Sequence, residues 1–342
     1  MTVQSGARVA VAGAGALGSA VALRLARAGF KVTVFDPAAP GANASGVAAG
    51  MLAPVSEALF DPVSRGHLSI MRRARDLWPA FAENLGVVLA RAGVRFEGSE
   101  TWRDQVGQRL IALGLPDADA TAEDWRIEAR AALDVLRQAA IAAGARFGTG
   151  AVEAFAPGAL TLADGRIEAF DILVLATGPG ARDGRLAPET TALTPIKGQI
   201  LRVAAEADEA VVRGEGVYLA PGGDLAIGAT MEVGRDDLTP DASATQALRA
   251  AAWALRPDLD LDAAKVEVGV RATTPDGLPL VGWSQVPGVM LAVGARRNGW
   301  LFAPLVADLV AAYLTGDNLG PDAAAMDARR FEKSGDQSNA GE

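Results

Sequence analysis

The segment at residues 13–18 (GAGALG) constrains the fold most, because it matches the G-x-G-x-x-G pattern of dinucleotide-binding loops. In such loops the first glycine permits a tight turn and the second lets a pyrophosphate approach the backbone. The third lets the following helix pack closely on the strand. Alone the pattern is weak, since the chain contains 39 glycines and could produce it by chance. Its surroundings decide what it means.

Those surroundings are a strand, a helix and a second strand within about 30 residues. Residues 7–12 are apolar and end at glycine, residues 16–28 carry apolar groups at helical spacing, and residues 31–35 alternate as a strand. Asp36 ends this second strand, close to the ~20 residues expected after the glycine loop. A carboxylate there can accept both ribose hydroxyls of an adenosine. We therefore predict a parallel βαβ unit that binds an ADP-containing cofactor.

Composition removes several other classes of function. The 342 residues suit two domains, and a net charge of −9 without a basic stripe argues against a nucleic-acid partner. The chain has no cysteine and a single histidine, His67, so thiolate chemistry, a histidine-based metal site and a serine triad lack their residues. The sequence shows no membrane span and no leader, which predicts a cytoplasmic protein.

The loop alone does not distinguish FAD from NAD, because both contain ADP. An NAD-dependent dehydrogenase should continue with further strand–helix repeats after its first unit. Here the alternation breaks after Asp36, and a segment of small residues follows at 41–52 (GANASGVAAGML). The break favours FAD, although an NAD-dependent dehydrogenase remains an alternative.

A series of short motifs occurs in one order along the chain. They are residues 44–52 (ASGVAAGML), 177–178 (TG), 195–198 (PIKG), 228–231 (GATM), 269–271 (GVR), 276–279 (DGLP) and 297–299 (RNG). The ordered set resembles the D-amino-acid-oxidase superfamily, and within it the glycine oxidases, from residue 7 to about 331. Each motif is short, but the order is specific.

The resemblance implies an α/β fold with a Rossmann-type FAD-binding domain and an inserted antiparallel-sheet substrate domain. The FAD-binding domain would comprise residues 1–75, 125–185 and 270–332. The substrate-binding domain would comprise residues 76–124 and 186–269, with part of 86–124 shorter than is usual in the family. Residues 333–342 are polar, which predicts a disordered tail.

The predicted cofactor contacts combine the glycine loop with positions that match the family motifs. They are Gly13, Gly15, Ala16, Leu17, Gly18, Asp36, Ala44, Ser45, Ala49, Gly50, Met51, Val152, Thr177, Gly178, Gly294, Arg297, Asn298, Gly299, Trp300 and Leu301. Covalent members of the family attach flavin through cysteine or histidine. Val47 and Ala48 stand where those residues occur, which predicts non-covalent FAD.

Four residues are the candidates for substrate binding. Arg271 interrupts an apolar strand, where a guanidinium can hold a substrate carboxylate in two hydrogen bonds; the alternative is an interdomain ion pair. By resemblance, Tyr218 aligns with a tyrosine that orients the substrate, although it could be an ordinary sheet aromatic. Arg297 could neighbour substrate or flavin. Met231 would line the pocket wall, although methionine also fills gaps in cores.

These residues predict oxidation of glycine or another small amine by hydride transfer to FAD. The products would be an imine and hydrogen peroxide, with oxygen as acceptor, and the resemblance to glycine oxidases implies a role in thiamine biosynthesis. A D-amino-acid or N-methyl-amino-acid dehydrogenase with another acceptor, and a flavin-binding protein without catalysis, remain alternatives. Ala295 and Arg296 differ from the histidine and aromatic residue common in glycine oxidases, so the exact substrate stays open. A homo-oligomer also stays open.

Overall fold

The computed structural model describes residues 3–205 and 209–332. Within this part of the chain the strands, in order, are β1 (Arg8–Ala12), β2 (Lys31–Asp36), β3 (Met51–Leu52), β4 (Val94–Phe96), β5 (Ala120–Thr121), β6 (Trp125–Arg126), β7 (Arg146–Thr149), β8 (Val152–Ala156), β9 (Ala159–Leu162), β10 (Ile167–Glu168), β11 (Ile172–Leu175), β12 (Thr194–Val203), β13 (Val211–Gly214), β14 (Val217–Ala220), β15 (Leu225–Gly228), β16 (Glu232–Val233), β17 (Lys265–Thr273), β18 (Leu280–Trp283) and β19 (Val289–Val293).

The helices accompany these strands mostly as crossovers and covers. They are α1 (Ala16–Arg27), α2 (Ala44–Val47), α3 (Pro54–Phe60), α4 (Leu68–Asp76), α5 (Trp78–Glu83), α6 (Glu100–Ala112), α7 (Ala129–Ala142), α8 (Ala242–Leu255), α9 (Gly299–Thr315) and α10 (Ala323–Met326). None of the described helices is long and apolar enough to cross a membrane.

A six-stranded sheet in the order β18-β19-β11-β1-β2-β7 carries the predicted βαβ unit. Strand β1 runs parallel to β2 and to β11, and every residue of β11 is buried, as expected for a central parallel strand. Helices α1 and α9 pack against each other on one face. The small sheet β10-β9-β8 contributes Leu160 and Leu162 to the core on the other face. The nucleotide-binding part is therefore a layered α/β structure.

A second sheet in the order β16-β12-β15-β14-β13-β4-β5, with β17 paired to β12, is mainly antiparallel. Leu201, Leu219 and Ile227 project from one face and pack under α8. On the other face Ile200, Tyr218 and Ala226 join the core that also contains α1 and α9. This second face therefore lies against the nucleotide-binding part, and the two sheets enclose the candidate site.

Most predicted elements are present, and the differences have local causes. The sequence predicts one helix over about 66–84 and a hairpin at the glycines 222–223. The helix divides at Leu77 into α4 and α5, because Pro79 has no N–H with which to continue the hydrogen bonds of α4. The hairpin is present and joins β14 to β15. Strand β17 crosses residue 270, the predicted domain limit, so the division into domains stays a prediction. The predicted disordered tail, 333–342, lies outside the described residues.

Candidate functional site

The glycine loop connects β1 to α1 beneath the residues that follow β11. Gly13 has a φ of +106°, and a Cβ there would lie 2.3 Å from the carbonyl oxygen of Ala176. A Cβ on Gly18 would lie 2.0 Å from the carbonyl oxygen of Gly13. At Gly15 a Cβ would approach only the Ser45 side chain, at 3.0 Å. The first and third glycines are therefore required by packing, while the second leaves the backbone open to the cleft described below.

Asp36 lies at the carboxyl end of β2, beside this loop. One of its carboxylate oxygens accepts the backbone N–H of Ala14 at 2.7 Å, and the other accepts that of Ala38 at 2.8 Å. A carboxylate has about four lone-pair sites, so each oxygen keeps capacity for one more donor. Its orientation is thus fixed by the backbone, and it can still accept two ribose hydroxyls.

A cleft of about 560 Å³ extends from the loop toward the second sheet. Among the predicted cofactor contacts, its walls include Gly13, Gly15, Ala16, Leu17, Asp36, Ala44, Ser45, Thr177, Gly178, Gly294, Arg297, Gly299 and Trp300. The walls are small side chains and backbone at α2, after β11 and before α9. The long cleft, the start of α1 that lines it and the oriented carboxylate of Asp36 together fit a dinucleotide such as FAD.

Hydrogen bonds from both sides hold the α2 segment against this cleft. The Arg202 guanidinium donates to the carbonyl oxygens of Val47 and Ala48 at 2.9 and 3.0 Å. The Trp300 indole donates to the carbonyl oxygen of Ser45 at 3.0 Å, and the Ser45 hydroxyl accepts the Ala16 N–H at 2.9 Å. These hydrogen bonds therefore fix the position of the α2 segment in the wall of the cleft.

The remaining predicted contacts lie elsewhere. Ala49, Gly50, Met51 and Asn298 line a smaller cavity of about 50 Å³, hereafter the inner cavity, which shares Ala44, Val47, Ala48, Gly269, Arg271, Arg297 and Trp300 with the cleft. Gly18 and Leu301 are packed inside the fold, and Val152 is the first residue of β8 in the small sheet. Met231 is half-buried after β15 and lines neither the cleft nor the inner cavity.

Glycines of the second sheet make room for the side chains of the inner cavity. A Cβ on Gly198 would lie 2.1 Å from Nη1 of Arg271, so the guanidinium lies directly over that backbone. A Cβ on Gly228 would lie 2.6 Å from the hydroxyl of Tyr218. Arg271 and Tyr218 therefore each extend across a glycine, where no side chain blocks them, and both line the inner cavity.

Replacing Gly198 with alanine is expected to displace Arg271 and lower kcat/KM by roughly 10²-fold, about 3 kcal/mol, while FAD stays bound. Steady-state kinetics and the flavin absorbance measure the two effects. Gly223→Ala is the matched control, because Gly223 has open space around its Cβ position and no left-handed φ. Equal activity of the two variants would show that the position of Arg271 is unimportant.

Arg271 has no carboxylate within ion-pair distance among the described residues. Its one side-chain hydrogen bond there is a long one of 3.4 Å, from Nη1 to the carbonyl oxygen of Thr230. Burial lowers the pKa of Arg271, and the positive charge of Arg297 lowers it further. Within the described residues this side chain therefore has no interdomain ion pair, the predicted alternative, and its guanidinium is available to an anion in the inner cavity.

Glu57 is a residue of this site that sequence reasoning missed. Its Oε1 lies 3.1 Å from Nη2 of Arg297 in an ion pair, and its side chain is only 4 % exposed. Its other oxygen, Oε2, is buried and has no hydrogen-bond partner within the described structure. Glu57 lines the inner cavity and therefore brings an acceptor with spare capacity to its wall. The available signal was an acidic residue within the otherwise apolar stretch of α3 (PVSEALF).

Arg213 is the second missed residue. It lies on β13 directly opposite Tyr218 on β14, and its guanidinium carbon is 4.6 Å from the Phe60 ring centre and 5.8 Å from that of Tyr218. Burial, followed by the charge of Arg297, lowers the pKa of Arg213 to about 10. Arg213 is not part of the inner cavity wall but stands behind Tyr218.

Arg296, one of the departures from the glycine oxidase pattern, points away from the inner cavity. Its backbone has a φ of +53°, and its guanidinium binds both carboxylate oxygens of Asp61 at 2.7 and 3.0 Å. The neighbouring Ala295 is buried. Arg296 therefore forms an ion pair of no net charge with Asp61 beside the cleft. In the described part of the chain no group of acidic or histidine side chains could hold a metal ion.

A glycine loop beneath a long cleft, joined to an antiparallel sheet with an arginine-lined cavity, defines a flavin-dependent oxidoreductase. The chain belongs to the DAO family of FAD-dependent oxidoreductases, whose family model matches residues 8–313. The predicted fold class, flavoenzyme character and resemblance to glycine oxidases are thereby confirmed.

Two relatives support the same conclusion. The glycine oxidase of Geobacillus kaustophilus is 29% identical, over 92% of this chain and 95% of that protein. Its crystal structure superposes with a TM-score of 0.80 over 96% of this chain and 100% of that one. The bifunctional protein ThiO/ThiG of Trichormus variabilis is 30% identical over 95% of this chain, which spans 55% of that protein. The chain thus covers about half of this longer relative.

Proposed function

We propose that the protein oxidises a small amino acid at its Cα–N bond, with non-covalent FAD in the cleft and oxygen as the acceptor. The observation that carries the proposal is Arg271, a guanidinium without an ion-pair partner in the described chain, held over Gly198 in a cavity that adjoins the cleft. A guanidinium in that position suits a carboxylate, because two parallel hydrogen bonds can form.

FAD bound in the cleft would supply the chemistry by accepting a hydride, and the residues of this chain would bind and orient the substrate. Arg271 holds the carboxylate, and the hydroxyl of Tyr218 donates a further hydrogen bond to it. The apolar walls at Val47, Ala48 and Ile200 exclude water around the substrate. This division of work agrees with a site that has no cysteine or histidine.

The free oxygen of Glu57 gives the substrate amine a partner. Glu57 lines the inner cavity, its Oε2 has no hydrogen-bond partner in the described structure, and its Oε1 forms an ion pair with Arg297. A carboxylate held in this way can accept a hydrogen bond from an ammonium or amine group and fix the nitrogen relative to the Cα–H bond. Arg271 and Glu57 together therefore recognise the two charged groups that every amino acid carries.

Glu57→Gln is expected to weaken binding of an amino acid roughly tenfold, because a charged hydrogen bond to the amine is lost. Binding of acetate, which has no amine, should not weaken. Both constants can be measured by anaerobic titration of the flavin absorbance. Equal weakening of the two ligands would mean that Glu57 acts only on the structure of the site.

Other parts of the proposal rest on the relatives and the sequence. The side chains at 44–48 include neither cysteine nor histidine, which supports dissociable FAD. The resemblance to glycine oxidases supports glycine as a substrate and a role in thiamine biosynthesis. A dehydrogenase of D-amino acids or N-methyl amino acids, with an acceptor other than oxygen, would use the same residues and is the second candidate.

The experiment that tests this proposal is anaerobic mixing of the yellow protein with glycine, sarcosine and D-alanine. Bleaching by one of them, followed by recovery in air with release of hydrogen peroxide, is the expected result. Bleaching with recovery only on addition of a quinone would replace the oxidase with the dehydrogenase. A flavoprotein that no amine bleaches would contradict the proposal.

A further inference from the structure

The strongest feature left unexplained by the proposed function is Arg213. The residue is only 7% exposed, and its Nη1 has no hydrogen-bond partner in the described structure. No described carboxylate lies within ion-pair distance of it; its closest contacts are the rings of Phe60 and Tyr218. A buried guanidinium in this condition is costly, so a fold that retains one needs an anion to compensate it.

The charges around the inner cavity do not balance. Arg213, Arg271 and Arg297 are opposed by Glu57 and, more distantly, by Asp124. Asp124 is committed elsewhere, since its two oxygens accept the N–H groups of residues 55 and 56, and burial raises its pKa to about 6. Even with both acids ionised, one positive charge remains.

The Arg296–Asp61 pair does not alter this balance, because it is internally neutral, with side chains 11% and 3% exposed. An amino acid with one carboxylate binds as a zwitterion and adds no net charge. An amino acid with two carboxylates carries a net charge of −1 at neutral pH and would cancel the remaining positive charge.

Tyr218 connects the two arginines across the sheet. Its hydroxyl lies over Gly228 on β15, and the Arg271 guanidinium lies over Gly198 on the neighbouring strand β12. The guanidinium carbon of Arg213 is 5.8 Å from the centre of the Tyr218 ring. When the first carboxylate binds Arg271 and the Tyr218 hydroxyl, a second acidic group of the substrate can extend along the tyrosine ring toward the charge of Arg213. At such distances in a desolvated site a charge acts strongly without direct contact.

We propose that Arg213 selects an amino acid that carries a second carboxylate, of the kind represented by iminodiacetate or D-aspartate. The first carboxylate binds Arg271, the amine binds Glu57, and the second carboxylate lies on the Tyr218 side of the inner cavity in the field of Arg213. This inference rests on the proposed function, because it names the substrate class of the same site. Arg213 thus acts as a residue that determines specificity.

The test compares dicarboxylates with monocarboxylates in the FAD-bound protein. Malonate and acetate are titrated anaerobically by flavin absorbance, and kcat/KM is measured for iminodiacetate, D-aspartate, glycine and sarcosine. Malonate is expected to bind about tenfold more tightly than acetate or better, and the dicarboxylic amines to be preferred by a similar factor. Equal affinity for malonate and acetate would overturn the inference.

Arg213→Met is the decisive variant, with Arg103→Met as the control. Arg103 is an exposed arginine of the same region, so its removal changes the net charge equally. Arg213→Met should remove the preference for dicarboxylates and leave the acetate constant within about twofold, while Arg103→Met keeps the preference. A preference that survives in Arg213→Met would also overturn the inference.

The variant should fold, because methionine fills a similar volume without a buried charge, and its melting temperature should equal or exceed that of the parent. The experiments can contradict the oxidase function and the dicarboxylate inference independently of each other. If glycine is oxidised but dicarboxylates gain nothing, only the dicarboxylate inference fails. If no amine reduces the flavin while malonate binding depends on Arg213, the oxidase function fails and the anion selectivity stands.

Discussion

Arg271→Met is expected to lower kcat/KM for the amino-acid substrate by roughly 10²- to 10³-fold, about 3–4 kcal/mol, with no loss of FAD. The reason is that the guanidinium has no ion-pair partner in the described chain and lies over Gly198 in the inner cavity, where a carboxylate would complete its hydrogen bonds. The rate of flavin bleaching under anaerobic mixing measures the effect directly, independently of the electron acceptor.

Arg202→Met is an informative comparison for Arg271→Met. Arg202 projects from the same sheet but is already engaged by Glu267 and by the carbonyl groups at 47 and 48. Its loss should destabilise the protein, whereas loss of Arg271 should leave the melting temperature unchanged or raise it. If Arg271→Met lost stability and kept its kcat/KM, Arg271 would be a structural residue and the proposed carboxylate site would be wrong.

Gly13→Ala should yield a protein that binds FAD at least about 100-fold more weakly, or that is colourless as purified. An alanine there must adopt a φ of +106° and place its Cβ 2.3 Å from the carbonyl oxygen of Ala176. Relief of this contact moves the loop away from the residues after β11, which form the opposite wall of the cleft. Fluorescence titration of the apoprotein with FAD gives the constant.

Gly66→Ala is the control for Gly13→Ala, since Gly66 has open space around its Cβ position and no left-handed φ. It should bind FAD as the parent does. Undiminished FAD affinity in Gly13→Ala would mean that the cofactor lies outside this cleft, and the reading of residues 13–18 would have to be abandoned.

The nucleotide-binding part was predictable because its signals are local. A turn, a helix start and the end of a strand are set by neighbouring residues, so the glycine loop and Asp36 could be identified from spacing alone. The sequence likewise predicts a long helix from about 299 to 315, and α9 occupies that range. The motif order along the chain supplied the rest of the fold through resemblance.

The arginine cluster was only partly predictable, because it depends on pairing between distant strands. Arg271 stood out within an apolar strand, but Arg213 becomes significant only when β13 pairs with β14 and places it beside Tyr218. Glu57 comes from a short helix in another part of the chain. Val152 and Met231 line neither the cleft nor the inner cavity, and a position near a family motif does not by itself decide which way a side chain points.

The nucleotide-binding sheet brings together strands that are far apart in sequence, which has a consequence for how the protein acquires its structure. Central strand β1 pairs with β11, and the flanking Arg8 and Asp171 form an ion pair across 163 residues. Strand β11 in turn needs β19, near the end of the fold. Closing such long loops precedes the energetic gain from the contacts, so the sheet should assemble slowly and late. During synthesis the N-terminal unit therefore waits for most of the chain, with unpaired strand edges that favour aggregation until the last strands arrive.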